Sequence, residues 1–274
     1  MQKGAQSMRL PISPYGILFL LSVIVLLMRL PQASTVAAQS GGCSAPPLIC
    51  MASRNQDLSL SRRDLCRYEQ RARVELYKRG KSNEAGKLDK VRETRVVVEP
   101  SATPDETGQY PVNTRVIEDT DDKGQPKKKV DPKARTGLAS GAFLDLLFFP
   151  LLPEKLNSLE FEEITSNMPT EKLFVFRPKP GTKDTVASGQ VYINPQTGAV
   201  LTIKIDGVYN LKAFDKVLDK LEKIYATVDY SEFEGKYRMP ALAKGGGLSD
   251  VTKFKGVFQF TFEESRYVQV LKLN

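Results

Sequence analysis

No histidine occurs anywhere in the 274 residues. That absence removes the usual nucleophile–histidine triads, the commonest nitrogen ligand for metals, and the general base that titrates nearest neutrality. Cysteine is scarce too: Cys43, Cys50 and Cys66 are the only three, and none stands in the C-x-x-C spacing of zinc or redox sites. No G-x-S-x-G elbow is present, although Ser140 and Ser188 adjoin glycines. "DTDDKG" opens like a calcium loop, with Asp119, Asp121 and Gly124 spaced as that loop requires. Lys123 then takes a ligand position, and Val130 stands where the closing glutamate belongs, which excludes it. "KGGGLSD" lacks a phosphate-loop lysine pattern, so Gly245, Gly246 and Gly247 are expected to form a mobile loop. Glu162 and Glu163 face opposite sides of a strand and make no acid/base pair by themselves. The expectation is a non-catalytic protein with no metal and no cofactor.

The N-terminus has a basic start (Lys3, Arg9), an apolar core of 14 residues at 15–28, and small residues at Val36-Ala37-Ala38. This describes a secretory signal peptide over residues 1–38, cut after Ala38. The apolar core is short of the roughly 20 residues needed to span a bilayer. "SGGC" before Cys43 has the small residues of a lipidation site but Ser40 where an aliphatic residue belongs, so a lipidated Cys43 is the alternative. An oxidising destination predicts one disulfide and one odd thiol, and both Cys43–Cys50 and Cys50–Cys66 fit. Residues 136–274 balance 17 basic against 17 acidic side chains, so the positive excess lies before them. A one-ended, diffuse excess suits an anionic surface better than nucleic acid, for which a basic stripe with stacking aromatics is expected.

Residues 39–56 are small and polar and read as a flexible leader, followed by a single domain over 57–274. "LSLSRRDLCRYEQ" is expected to begin as a short helix, and strand patterns dominate after it. In "YEQRARVELY", Tyr68, Ala72, Val74 and Leu76 share one face with Gln70, while Glu69, Arg71, Arg73 and Glu75 point the other way. "KVRETRVVVEP", "YPVNTRVIED", "SLEFEEI" and "EKLFVFRP" read as further strands, and "GQVYINPQTGAVLTIKI" as a hairpin turning at Asn194, Pro195 and Gly198. "TKFKGVFQFTFEE" puts Phe254, Phe258, Phe260 and Phe262 on one side. Leu211, Phe214, Leu218, Leu221 and Tyr225 fall at helical spacing and predict a helix, with Asn210 as its N-cap. The order excludes a regular βαβ series. It predicts an α+β fold: one strongly curved antiparallel sheet with helices covering or plugging its concave face.

"FLDLLFFPLL" is a second apolar segment, far from the first. A helix over Leu138–Phe149 would be about 18 Å long at 1.5 Å per residue, too short to cross a membrane, and Pro150 and Pro153 would stop it. Apolar on nearly every side, it belongs inside the fold. Asp145 is its odd residue, expected as a cap or as a partner for a base of the preceding loop. Phe143, Leu147 and Phe148 are candidates to line an apolar cavity with Phe258, Phe260 and Phe262. Just upstream, the basic loop at 119–136 carries Lys127, Lys128, Lys129, Lys133 and Arg135. These are candidates to contact an anionic membrane surface, where each basic residue contributes about 1 kcal/mol.

The succession of "YEQRARVELY", "VRETRVVVEP", "FLDLLFFPLL", "LFVFRP", "GQVYINPQTGAVLTIKI" and "VDYSEFEGKYRMP" resembles the outer-membrane lipoprotein-sorting proteins of the LolA/LolB-like superfamily. The resemblance covers about residues 64–270 and centres on the "YINPQTGAVL" hairpin. It implies an open half-barrel that holds lipid or lipoprotein acyl chains in its hollow, without cofactors, in the periplasm or at the outer-membrane periphery. The carriers latch their helical lid with an arginine, and no residue here matches that motif. The insertion "DDKGQPKKKVDPKART" and the expected helix from Leu211 to Tyr225 depart from the compact carriers. The alternative implied by related anti-sigma regulators is an envelope interaction or sensor module on the same scaffold.

Overall fold

The computed structural model describes residues 43–271, apart from 104, 106–109, 131–141, 167, 215–217 and 253. The expected signal at 1–38, its cleavage after Ala38, and Lys133 and Arg135 of the basic loop lie outside the described residues. Among the described residues there are ten strands: β1 (Cys66–Arg79), β2 (Ala85–Pro100), β3 (Val112–Asp119), β4 (Leu159–Ile164), β5 (Lys172–Pro178), β6 (Val186–Ile193), β7 (Val200–Tyr209), β8 (Leu221–Phe233), β9 (Tyr237–Ser249) and β10 (Gly256–Gln269). They form one antiparallel sheet in the order β3-β2-β1-β10-β9-β8-β7-β6-β5-β4. β3 and β4 are its two ends and do not pair with each other, so the sheet is open.

Every connection but one joins sequence neighbours that lie side by side. The exception is the passage from β3 at one edge to β4 at the other, which leaves β10, the last strand, beside β1, the first. With strands about 4.8 Å apart, the edges of a flat ten-stranded sheet stand about 43 Å from each other. The β3–β4 connection must therefore travel across a face of the sheet, and whatever part lies against the sheet must be apolar to be buried there. This accounts for the second apolar segment. It forms α2 (Ala142–Phe148), packed against β6 and β8, and is followed by the single turn α3 (Pro153–Leu156), which lies beside β4. Pro153 opens that turn, where its missing N–H costs nothing.

One face of the sheet carries a continuous core. β1 contributes Ala72 and Leu76, β5 Phe174 and Phe176, β6 Val191 and Ile193, β7 Ile203 and Ile205, and β10 Phe258, Phe260 and Phe262. On β1, Tyr68, Gln70, Ala72 and Leu76 are buried on the expected face with Val74 half-buried between them, and on β10 Phe258, Phe260 and Phe262 are buried. A smaller cluster of Tyr68, Val96, Val98 and Val116 closes the β2–β3 end.

Three local expectations are corrected. The leader is a helix, not flexible chain, from its ninth residue: α1 spans Pro47–Arg63. Its buried face is Ile49, Ala52, Ser53, Gln56, Ser59 and Arg63, so polar a stripe that no apolar periodicity marks it. The helix rests on the β6–β7 turn, where Asn55 Nδ2 donates to Thr197 O at 3.0 Å. Gly198 (φ 67°) sits so close beneath Met51 that a Cβ there would lie 2.5 Å from Met51 Cγ. The helix expected from Leu211 to Tyr225 ends after one turn, α4 (Leu211–Phe214), and a 3₁₀ turn at Leu218–Lys220 leads into β8. Ile224, Ala226 and Val228 alternate into the core there, and pairing with β9 outweighs the helical spacing of the leucines. Gly245–Gly247 are not a loop but the interior of β9, with Gly246 and Gly247 buried. Their missing side chains admit the rings of neighbouring strands: Phe260 lies opposite Gly245, and Phe258 opposite Gly247.

Of the two disulfides the sequence allows, Cys43–Cys50 forms, with Cα atoms 6.0 Å apart, and it ties the chain to the first turns of α1. The Cys43 sulfur that lipidation would require is thereby occupied. Cys66 is a buried free thiol whose Sγ faces Arg62 O at 3.2 Å. Burial pushes its pKa up to about 11, against the opposing pull of Arg62. At pH 8 the thiol is therefore protonated and shielded. Titration of the native protein with a chromogenic disulfide reagent should report almost no thiol, and one per chain after unfolding. Rapid native labelling would contradict this.

Candidate functional site

Helix α2 is nearly all apolar, and its core side chains are fully enclosed: Leu147 is 0% and Phe148 1% exposed. What fastens it to the rest of the fold is polar. At its C-terminal end the Tyr230 hydroxyl, from β8, donates to Phe148 O. Gln56 of α1 reaches the same place, where its Oε1 accepts from Leu151 N at 3.0 Å and its Nε2 approaches the Tyr230 hydroxyl at 3.5 Å. One orphan carbonyl of the last helical turn and one N–H just beyond it are thus satisfied by side chains. Burial raises the Tyr230 pKa well above its ordinary value, with Gln56 opposing, so the hydroxyl keeps its proton and remains a donor.

The other fastening is ionic. Arg63, one face-repeat along α1 from Gln56, donates from Nη1 to Asp145 of α2 at 3.0 Å. The rest of its guanidinium forms a fork on Glu264 of β10, with Nε to Oε2 at 3.0 Å and Nη2 to Oε1 at 2.5 Å. Gln70 Nε2, directly across the sheet from Glu264, adds a bond to Oε1 at 2.8 Å. The Tyr267 hydroxyl donates to Oε2. Arg63 also stacks near Tyr68, 4.9 Å from its ring centre, and Phe148, at 5.7 Å. Burial alone would lower the guanidinium pKa, but Glu264 and Asp145 outweigh it and hold the pKa well above the ordinary value. The group is a fixed cation that ties α1, α2 and β10 together. Asp145 thus pairs with α1, where the sequence suggested a partner in the preceding loop.

The six residues expected around an apolar cavity are brought into one core. Phe143 is half-buried at its margin, and Leu147, Phe148, Phe258, Phe260 and Phe262 lie within it. The phenylalanines of β10 stack along the strand, with centroids 6.4 Å apart for Phe258–Phe260 and 4.9 Å for Phe260–Phe262. This is filled space, with α2 nearest to β6 and β8. Two depressions on the opposite face, about 310 and 360 Å³, have charged rims, among them Glu69, Arg71, Arg95 and Arg266 in the first and Arg73, Glu75 and Lys244 in the second. In the basic loop, Lys127 is paired with Asp119, while Lys128 and Lys129 are exposed.

Sequence reasoning did not single out Gln56, Arg63, Tyr230 or Glu264. A signal for one of them was present. Glu264 continues the period of Phe258, Phe260 and Phe262, so the strand pattern already placed a carboxylate on the buried face, where it must find a cation.

No family model matches the chain, and no curated protein does. Among solved structures, a DUF1329 family protein from Desulfovibrio piger aligns over 83% of this chain and 93% of its own, at 10% identity and a TM-score of 0.33.

Proposed function

We propose that the protein is an exported, non-catalytic envelope protein that binds acyl chains of a lipid or lipoprotein in the space α2 occupies. In this reading the open sheet curves into a LolA/LolB-like half-barrel, and α1 and α2 fill its concave face. One observation carries it. An apolar helix, lodged on the core face within a long edge-to-edge connection, is fastened by a few side-chain bonds and not by strand pairing. An acyl chain entering that space replaces apolar contact with apolar contact, so exchange is nearly balanced, whereas displacing a strand sacrifices a ladder of hydrogen bonds. A ligand shifts the equilibrium only as far as it prefers the open state. The Cys43–Cys50 disulfide supports an oxidising, exported setting.

The test is Leu147→Ala with Phe148→Ala, read by affinity for a fluorescent fatty-acid probe beside the melting temperature. Removing apolar area from the plug, at roughly 25 cal/mol per Å², favours the open state, so the probe should bind tighter or faster. Loss of probe binding together with several kcal/mol of stability, the ordinary cost of such core truncations at ~2–5 kcal/mol each, decides against it. The second reading, an envelope interaction or sensor module, is favoured by the complete enclosure of Leu147 and Phe148, which is how plain core looks. Native mass spectrometry separates the two: co-purifying acyl chains support the first reading, and an empty protein supports the second.

A further inference from the structure

The β1–β2 hairpin overhangs the sheet. β10 follows β1 only as far as Tyr77, and β3 meets β2 only from Thr94 onward. Beyond these points the ribbon has no strand neighbour on either side, and residues 81–90 are all exposed. The loop after β3 then folds back beside its base: Lys123 bridges to Val91, and Val91 N donates to Asp122 O at 3.0 Å. The fold thus brings together two basic segments that the sequence keeps about 30 residues apart.

Residues 78–90 and 119–130 hold nine basic and five acidic side chains. Three of the five acids are committed, and Glu84 and Asp89 lie exposed on the ribbon itself. Asp119 takes Arg92 and Lys127, Asp122 lies 3.7 Å from Lys90, and Asp121 turns its carboxylate onto the N–H groups of Lys123 (2.8 Å) and Gln125 (2.9 Å) of its own loop. Lys78, Lys81, Lys87, Lys123, Lys128 and Lys129 make no ion pair among the described residues. Leu88 stands among them 44% exposed.

We propose that this overhanging ribbon and the adjoining loop are a docking surface for an anionic lipid bilayer. The chemistry selects that partner. The uncommitted charges are lysines, compact point charges without the bidentate fork by which arginine reads a particular carboxylate or phosphate. They are spread over two segments, and neither of the two depressions described above is lined by any of them. Attraction to a charged membrane needs number and not geometry, and grows with each basic residue near the surface. An exposed leucine between lysines gives the ribbon an apolar side chain to seat at the headgroup boundary. The surface is separate from the α2 site, so this proposal stands whether or not acyl chains bind there.

Co-sedimentation of the unit from Ala38 onward, which contains the whole sheet and its helices, tests it without any acyl ligand. Vesicles of phosphatidylcholine with about one-third phosphatidylglycerol should pellet the protein at low salt, pure phosphatidylcholine should not, and raising salt should release it. Lys81→Glu with Lys87→Glu on the ribbon, and Lys128→Glu with Lys129→Glu on the loop, should each weaken binding about tenfold or more, with melting curves matching wild type. Leu88→Ser should weaken it less. Failure to pellet, equal pelleting on neutral vesicles, or ribbon variants that bind like wild type would each overturn the proposal. The first of these would leave the lysines to an acidic protein.

Discussion

Glu264→Leu should destabilise the protein by about 3–5 kcal/mol, the usual cost of removing one partner from a buried ion pair. The variant strands Arg63 in the core with only Asp145 to answer it, and leaves Gln70 and Tyr267 without their shared acceptor. Adding Arg63→Met should recover most of that loss, because two apolar side chains of similar volume remove the charge and its desolvation together. The double variant also takes Arg63 away from Asp145, whose side chain is 31% exposed and so within reach of water. Urea melts of wild type, both single variants and the double variant give the coupling energy. If Glu264→Leu costs under about 1 kcal/mol, the fork is not a buried pair in solution. If the double variant is as unstable as the worse single one, the residues pack rather than neutralise. The same double variant cuts one of the two fastenings on α2, so faster uptake of the fatty-acid probe at near wild-type stability is the outcome the lipid-binding reading requires.

What the sequence revealed of this arrangement depended on how local its cause was. β1 and β10 were legible because a half-buried strand writes its burial into alternate residues, and Tyr68 to Leu76 and Phe258 to Phe262 do so plainly. Enclosure of "FLDLLFF" was legible for the same reason, since a helix apolar on all sides has nowhere else to go. Why it is needed was not, because the answer lies in the strand order: β3 and β4 sit at opposite edges, and the connection must cross the core face. Only the C-terminal part of α1 was expected as a helix, because its buried stripe holds Gln56, Ser59 and Arg63, polar groups whose partners come from β8, β9, β10 and the α2 segment. Ser59 Oγ, for one, accepts from Arg238 N at 3.1 Å. β8 was misread because Leu211, Leu218, Leu221 and Tyr225 share helical spacing by coincidence, and only its pairing with β9 reveals the true period. Around α2, the burial of Leu147, Phe148, Phe258, Phe260 and Phe262 was legible residue by residue. The polar half exists only once Gln70 and Glu264, 194 positions apart, are brought opposite each other.

Gly245→Ala should be among the most damaging single-methyl additions in the chain, costing about 3 kcal/mol or more, at or beyond the upper end for overpacking. A Cβ there would lie 2.2 Å from Tyr225 O, 2.6 Å from Phe260 Cζ and 2.9 Å from Ala226 Cα. The ring can swing away, but the carbonyl and the Cα belong to β8 and cannot move without parting the β8–β9 pair. Phe260→Ala should also be costly, about 3–5 kcal/mol, because the ring is 7% exposed and stacks between Phe258 and Phe262. A mild effect at that position would instead mean that the phenylalanine face borders open space. The double variant distinguishes the two obstacles to a Cβ at position 245. If the ring were the main one, Phe260→Ala would make room for the methyl, and the pair of changes would cost less than their sum. Because the nearer contact is backbone, the costs should add or exceed addition. Gly235→Ala supplies the control: φ there is positive, at 67°, unlike at Gly245, but the nearest atom to a Cβ is Glu232 Oε1 at 3.9 Å. That change meets only the backbone preference, roughly 1 kcal/mol or slightly more, in a turn that holds no part of the core. A Gly245→Ala variant that melts like the Gly235→Ala control would place β9 farther from β8 than the pairing of Gly245 with Ala226 allows.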